Sequence, residues 1–120
     1  MPHLTLEVTD NVDQPIAFDA LFAELHQVLA SVAGIRVDNC KSRALRRKIY
    51  YIGDGGTSKA FVHLEMCILE GRTAEAKQAV GKLCLQVLQR YFARSSGELD
   101  LQITLEVRDM QPAAYFKATL

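Results

Sequence analysis

Residues 60–69 read AFVHLEMCIL, in which Ala60, Val62, Leu64, Met66 and Ile68 alternate with Phe61, His63, Glu65, Cys67 and Leu69. Unbroken alternation over that length predicts a β-strand with one face on a core. Upstream, Gly53-Asp54-Gly55-Gly56 marks a turn. Downstream, Thr73 is placed to cap a helix whose apolar stripe is Ala76, Val80, Leu83, Cys84, Val87, Leu88 and Tyr91. Gly81 lies within that helix, where glycine costs about 1 kcal/mol against alanine, and it points to close packing on a sheet. Ser95-Ser96-Gly97 ends the unit. Alternation then returns over Leu99 to Val107, with Leu101, Ile103, Leu105 and Val107 opposed to Gln102, Thr104 and Glu106.

The first half repeats this order. His3 to Val8 alternates, and Phe18, Leu21, Phe22, Leu25, Val28, Leu29 and Val32 follow helical spacing, with Gly34 at the C-cap position. An extended stretch follows, roughly Ser42 to Ile52. HLTLEV near residue 3 echoes VHLEM near residue 62, as expected of a duplicated βαβ unit. The expectation is one α/β (α+β) domain over residues 1–120, built from repeats of about 1–56 and 57–120. Right-handed crossovers would make the strands of each unit parallel, giving a four-stranded mixed sheet with both helices on one face. The other face, with Thr5, Glu7, His63, Glu65, Gln102, Thr104 and Glu106, is too polar for a dry core. Subunits turning these faces toward a wet centre, or a monomer with one solvated face, would each accommodate it.

At 120 residues and 49% hydrophobic side chains the chain suffices for one core. Fourteen basic residues balance fourteen acidic ones, which argues against nucleic acid or an anionic membrane as partner. MPHLTLEVTD has neither the basic leader nor the apolar run of a signal peptide, so a cytoplasmic protein is expected. Cys40, Cys67 and Cys84 are odd in number and widely spaced, which suits reduced thiols, with Cys67 and Cys84 as small buried hydrophobes.

Pro2 carries the main chemical signal. Once Met1 is removed it would offer a free secondary amine at the start of a strand, where its missing amide hydrogen costs nothing. An ordinary α-amino group titrates at about 7.7 to 8. Burial and neighbouring cations would lower that value and leave a general base near neutrality. Taken alone, a Met-Pro start is common and favours no chemistry. The whole string is more specific: MPHLTLEVTDN at the start, KSR at 41–43, AFVHLEM at 60–66, GR at 71–72 and QPAAYFK at 111–117. In order and spacing these segments resemble the 5-carboxymethyl-2-hydroxymuconate isomerases of the tautomerase superfamily, over essentially the entire chain.

That resemblance implies a double βαβ subunit in a homotrimer and a cofactor-free isomerase. Its amino-terminal proline would move a proton between carbons of an unsaturated 2-hydroxy or 2-keto dicarboxylic acid. It also implies cations for the substrate carboxylates: Arg72 in the GR step, and Arg43 with Lys41, which share a face in an extended segment. Lys41 stands where the family carries arginine and lacks the planar two-point grip of a guanidinium, so the resemblance supports the reaction type more than the named substrate. A non-catalytic trimer binding a small acid or another protein, or a related enzyme with a different substrate, would keep the same fold.

Other features read more plainly. Arg46, Arg47 and Lys48 extend the basic run but have no interleaved aromatic residues, and are expected as solvated surface. His3, His26 and His63 lack metal-ligand spacing, with His26 on the polar side of its helix and the others on the polar sheet face. Gly53-Asp54-Gly55-Gly56 has no following Lys-Ser step and does not open onto a helix, so it is no phosphate loop. Tyr50, Tyr51 and Phe116 are expected to pack in a core or an interface.

Overall fold

Two alternating strands lie at the centre of the sheet, β1 (His3–Thr9) and β3 (Lys59–Leu69). They pair antiparallel, with Leu4 opposite Met66, Leu6 opposite Leu64 and Val8 opposite Val62. Paired residues share a face, so these six side chains form one apolar band, and all are fully buried. The computed structural model describes residues 1–120 and completes the sheet with β2 (Lys41–Arg47) and β4 (Asp100–Met110) at its edges. β2 runs parallel to β1 and β4 parallel to β3, giving the order β2-β1-β3-β4. The sheet is mixed and four-stranded, as expected.

Helices α1 (Phe18–Ala33) and α2 (Ala74–Tyr91) connect the parallel pairs and lie against each other over the apolar face. Leu21, Leu25 and Leu29 of α1 meet Val80, Cys84, Val87 and Leu88 of α2 in a core of 18 buried hydrophobic residues that also takes in the central strands. Gly34 ends α1 at φ 65°, a left-handed conformation that glycine adopts without penalty, and its N–H donates to the Leu29 carbonyl. Thr73 begins α2 as expected, its hydroxyl accepting from the Ala76 N–H at 3.1 Å. Buried Gln14 donates to the Tyr91 carbonyl at 3.0 Å and accepts from Ser95 N–H and Oγ at 2.9 and 2.6 Å, fixing the turn after β1 to the end of α2.

Several expectations are corrected. The second extended stretch starts at Lys41 and stops at Arg47 instead of running to Ile52. Its partner decides this: β1 ends at the Thr9–Arg47 pair, and a Val12 N–H to Thr9 carbonyl bond then turns that chain off the sheet. With nothing to pair against, residues 48–52 leave the ladder, and Ile49 and Tyr51 are exposed. The last strand, conversely, extends past Val107 to Met110, because β3 offers partners as far as Leu69. Cys67 lies on the polar face, half-buried beside Glu65, whereas Cys84 is buried as expected. Leu83 is exposed in the groove between α1 and α2 instead of buried in the core. His26 is half-buried and bonds the Ser42 hydroxyl of β2 at 2.7 Å, so it bridges helix and sheet.

Gly81 faces β4, yet a methyl group there would meet Leu105 Cδ2 at 3.9 Å and Val107 Cγ2 at 4.0 Å, ordinary contact distances. The glycine is therefore not required sterically. Gly81→Ala should stabilise the fold by up to about 1 kcal/mol, and Thr73→Ala should destabilise it by about 1 kcal/mol. Thermal or urea unfolding of the two variants checks both signs.

Candidate functional site

Because β1 and β3 are antiparallel, the start of β1 lies at the same end of the sheet as the finish of β3, and the parallel pairings bring the start of β2 and the finish of β4 there too. His3 pairs with Lys41 on one side and Cys67 on the other. The Lys41 N–H donates to the Pro2 carbonyl at 3.0 Å, so Pro2 is tied to β2 although it precedes the strand proper, and it is buried. Gly71, at φ 122°, lets the chain reverse after β3, and Arg72 folds back until its guanidinium donates to the Leu69 carbonyl at 3.4 Å. Beyond β4 a single turn at Pro112–Ala114 redirects the tail toward the start of β1.

Charge converges on the amino terminus. The Met1 amine lies below its ordinary value of 8.0, chiefly because it is partly withdrawn from water. The Cys40 thiol opposes that shift, while the positive charges of Arg72, Lys41 and Lys117 reinforce it. Burial in turn pushes the Cys40 thiol up, against the amine and Lys41, which favour its ionised form. Of the three cations expected from the sequence, the structure brings Arg72 and Lys41 to the amine. Arg43 sits two pairs further along the sheet, opposite Thr5.

Arg43 has a partner of its own. Its guanidinium donates to His3 Nδ1 at 2.9 Å and approaches Thr5 Oγ1 at 3.5 Å. A guanidinium only donates, so His3 Nδ1 accepts, the ring is neutral, and its remaining proton on Nε2 points to the Tyr115 hydroxyl at 2.9 Å. His3 is held below its ordinary 6.5, first by burial, then by Arg43, Lys41 and the terminal amine. His3, Tyr115 and Lys117 were not identified as site residues from the sequence. The QPAAYFK segment was the available signal, but no periodicity links residue 115 to residue 3.

The remaining polar groups are engaged elsewhere. Arg46 and Arg47 are exposed, as expected, and from the surface Arg46 donates to the Val12 carbonyl at 2.6 Å while Arg47 pairs with Glu7 at 2.7 Å. His63 bonds Thr104 at 2.7 Å, and no group of three or more metal-ligating side chains gathers anywhere in the chain. The largest groove, about 490 Å3, runs between α1 and α2 and includes Glu24, Val28, Leu83 and Arg90. It contains none of Pro2, Lys41, Arg43 or Arg72. Glu24 there is already bonded to Arg90 and Tyr91, which leaves the groove without a free acid or base, so the chemistry is better placed at the strand ends.

Comparison with known proteins agrees with this fold. The model of the family described as 5-carboxymethyl-2-hydroxymuconate isomerase matches residues 2–119. Over 117 residues the chain is 26% identical to the 5-carboxymethyl-2-hydroxymuconate Delta-isomerase of Escherichia coli, covering 98% of this chain and 93% of that protein. A crystal structure of a 5-carboxymethyl-2-hydroxymuconate isomerase from Deinococcus radiodurans R1 superposes with a TM-score of 0.89 at 34% identity, over 99% of this chain and 90% of the other. A fused 4-OT wild type symmetric trimer shares the fold at a TM-score of 0.69 and 18% identity, over 97% of this chain and 91% of its own.

Since Arg72 exerts the largest of the positive-charge effects on the terminal amine, Arg72→Ala should raise that amine toward 8.0. Less of it is then neutral near pH 7, and competitive acylation followed against pH should show slower labelling of the terminus in the variant than in the parent protein.

Proposed function

The chain belongs to the 5-carboxymethyl-2-hydroxymuconate isomerase family, and from that membership we propose that it moves a proton within an unsaturated 2-hydroxy or 2-keto dicarboxylic acid, with Pro2 as general base and then general acid. The observation that carries this reading is the convergence of Arg72, Lys41 and Lys117 on the amino terminus. Removal of Met1 uncovers the Pro2 nitrogen one residue deeper, at a buried position among those cations. Burial and positive charge both disfavour the protonated amine, which keeps a fraction of it neutral and basic near pH 7.

In the proposed reaction the neutral nitrogen takes a proton from a carbon next to the carbonyl, and the C–H electron pair passes into a conjugated dienolate. The new ammonium then returns the proton to a carbon further along, restoring the amine. Arg72 and Lys41 hold carboxylates and offset the charge of the dienolate, an effect that grows in a site with little water. Arg43 contributes from beside His3. No metal or cofactor is required, because a C–H flanked by a carbonyl and conjugated with an alkene is acidic enough for an amine base. Lys41 supplies a point charge in place of a planar fork, which favours a substrate whose second carboxylate needs no two-point grip.

We also propose a cytoplasmic homotrimer whose two chain halves are copies of one βαβ unit. What supports the trimer is the apolar surface that one subunit leaves bare, Ile49 97%, Phe116 87% and Tyr51 77% exposed, together with the polar outer face of the sheet. No helix is long and apolar enough to cross a membrane.

The test is turnover of 2-hydroxymuconate and its carboxymethyl derivative by methionine-free protein. Pro2→Ala, which keeps a primary amine, should retain weakened activity, and one extra residue ahead of Pro2 should abolish it. Full turnover by the extended protein would remove Pro2 from the mechanism and leave an anion-binding protein. Arg72→Ala should lower kcat/KM about tenfold to a hundredfold, the effect of losing one charge-assisted contact.

A further inference from the structure

The C-terminal tail is attached to the rest of the molecule at few points. After β4 its only backbone bonds close the Pro112–Ala114 turn, from Ala114 N–H to the Gln111 carbonyl and from Tyr115 N–H to the Pro112 carbonyl. Beyond that turn two side-chain contacts reach β1: the Tyr115 hydroxyl with His3 Nε2 at 2.9 Å, and Lys117 Nζ with Met1 Sδ at 3.9 Å. The second is weak and vanishes with Met1. The His3–Tyr115 bond, with the two rings edge to face at 5.9 Å, is then the hydrogen bond that ties the tail to β1 within the subunit. The same imidazole accepts from Arg43 on its other nitrogen, so one side chain spans β2, β1 and the tail.

We infer that His3 is a positioning residue: its neutral ring latches the tail through Tyr115 while bracing Arg43, and so keeps Lys117 at the amino terminus. The brace on Arg43 depends on protonation. Nδ1 can accept from Arg43 only while it carries no proton; a protonated ring would turn a second donor and a second positive charge toward the guanidinium. The charges acting on His3 are all positive, Arg43 and Lys41 from β2 and the terminal amine of β1. Its β3 partner Cys67 has a thiol pushed up by burial and by Glu65, so it stays protonated and lends no compensating charge. Since His3 lies below 6.5, the brace on Arg43 is closed at neutral pH and breaks on acidification below that value, while Nε2–H goes on donating to Tyr115. That Lys117 meets a substrate carboxylate rests on the isomerase reading; the latch itself does not.

NMR relaxation of the full chain reads the tail without using activity. Backbone order parameters at residues 114–117 should approach the rigid value of about 0.85 at about pH 7.5 and stay there at about pH 5, whereas the Arg43 side-chain Nε–H signal should exchange faster, against its intrinsic rate, at the lower pH. Tyr115→Phe, a change at the surface that leaves the core intact, and His3→Ala should free the tail at both pH values. His3→Gln, which keeps a donor near the Nε2 position but does not titrate, should restore order at both. In turnover of 2-hydroxymuconate, Tyr115→Phe should raise KM about two- to tenfold with a smaller change in kcat. Unchanged tail order in Tyr115→Phe and His3→Ala, or an acid response of Arg43 that persists in His3→Gln, would overturn the positioning role. If the extended protein turns over while the tail responds as described, the Pro2 base fails and the latch stands.

Discussion

The antiparallel pairing of β1 with β3 is the constraint on which the molecule depends. Each βαβ unit by itself has a strand pair and a helix with one apolar face, and joining them through their first strands merges the two apolar bands under both helices. Had the units joined in parallel, β3 would have finished at the far end of the sheet from Met1 and Pro2. The antiparallel join instead brings Arg72, just after the first strand of one unit, to the beginning of the other, and the gathering of cations at the strand ends follows from that packing solution.

The electrostatics at this end of the sheet are deliberately unbalanced. Elsewhere the polar face pairs its charges, Glu7 with Arg47 and Glu65 with Arg108. Around Met1 and Pro2, Arg72, Lys41 and Lys117 share no carboxylate in an ion pair. Concentrated like charge at a partly buried amine opposes its protonation, an arrangement with no evident benefit to folding and a clear one to binding an acidic molecule. A neutral imidazole accepts a hydrogen bond from Arg43, so His3 adds no further positive charge to that cluster.

Much of the fold was legible because its signals are local. AFVHLEMCIL and HLTLEV alternate without interruption, α1 and α2 have stripes at helical spacing, and Gly34 and Thr73 mark boundaries that the backbone respects. Misreadings arose where a partner far along the chain decides the outcome. Ile49-Tyr50-Tyr51-Ile52 has strong strand propensity, yet β1 has already left the sheet; β4 gains length for the converse reason. Of the site, Lys41 and Arg72 were readable from their places in short motifs. The positions of Tyr115 and Lys117 were not, since a contact spanning 112 residues leaves no periodic trace.

That span also bears on how the protein is made. The tail carrying Tyr115 and Lys117 leaves the ribosome after both βαβ units, and closing so long a loop is entropically late even when the ends are free to meet. A chain truncated ahead of Tyr115 therefore lacks both the partner of His3 and the Lys117 cation beside the amino terminus. Lys117 lies against Met1, so a fusion partner attached at either extremity would crowd that same corner.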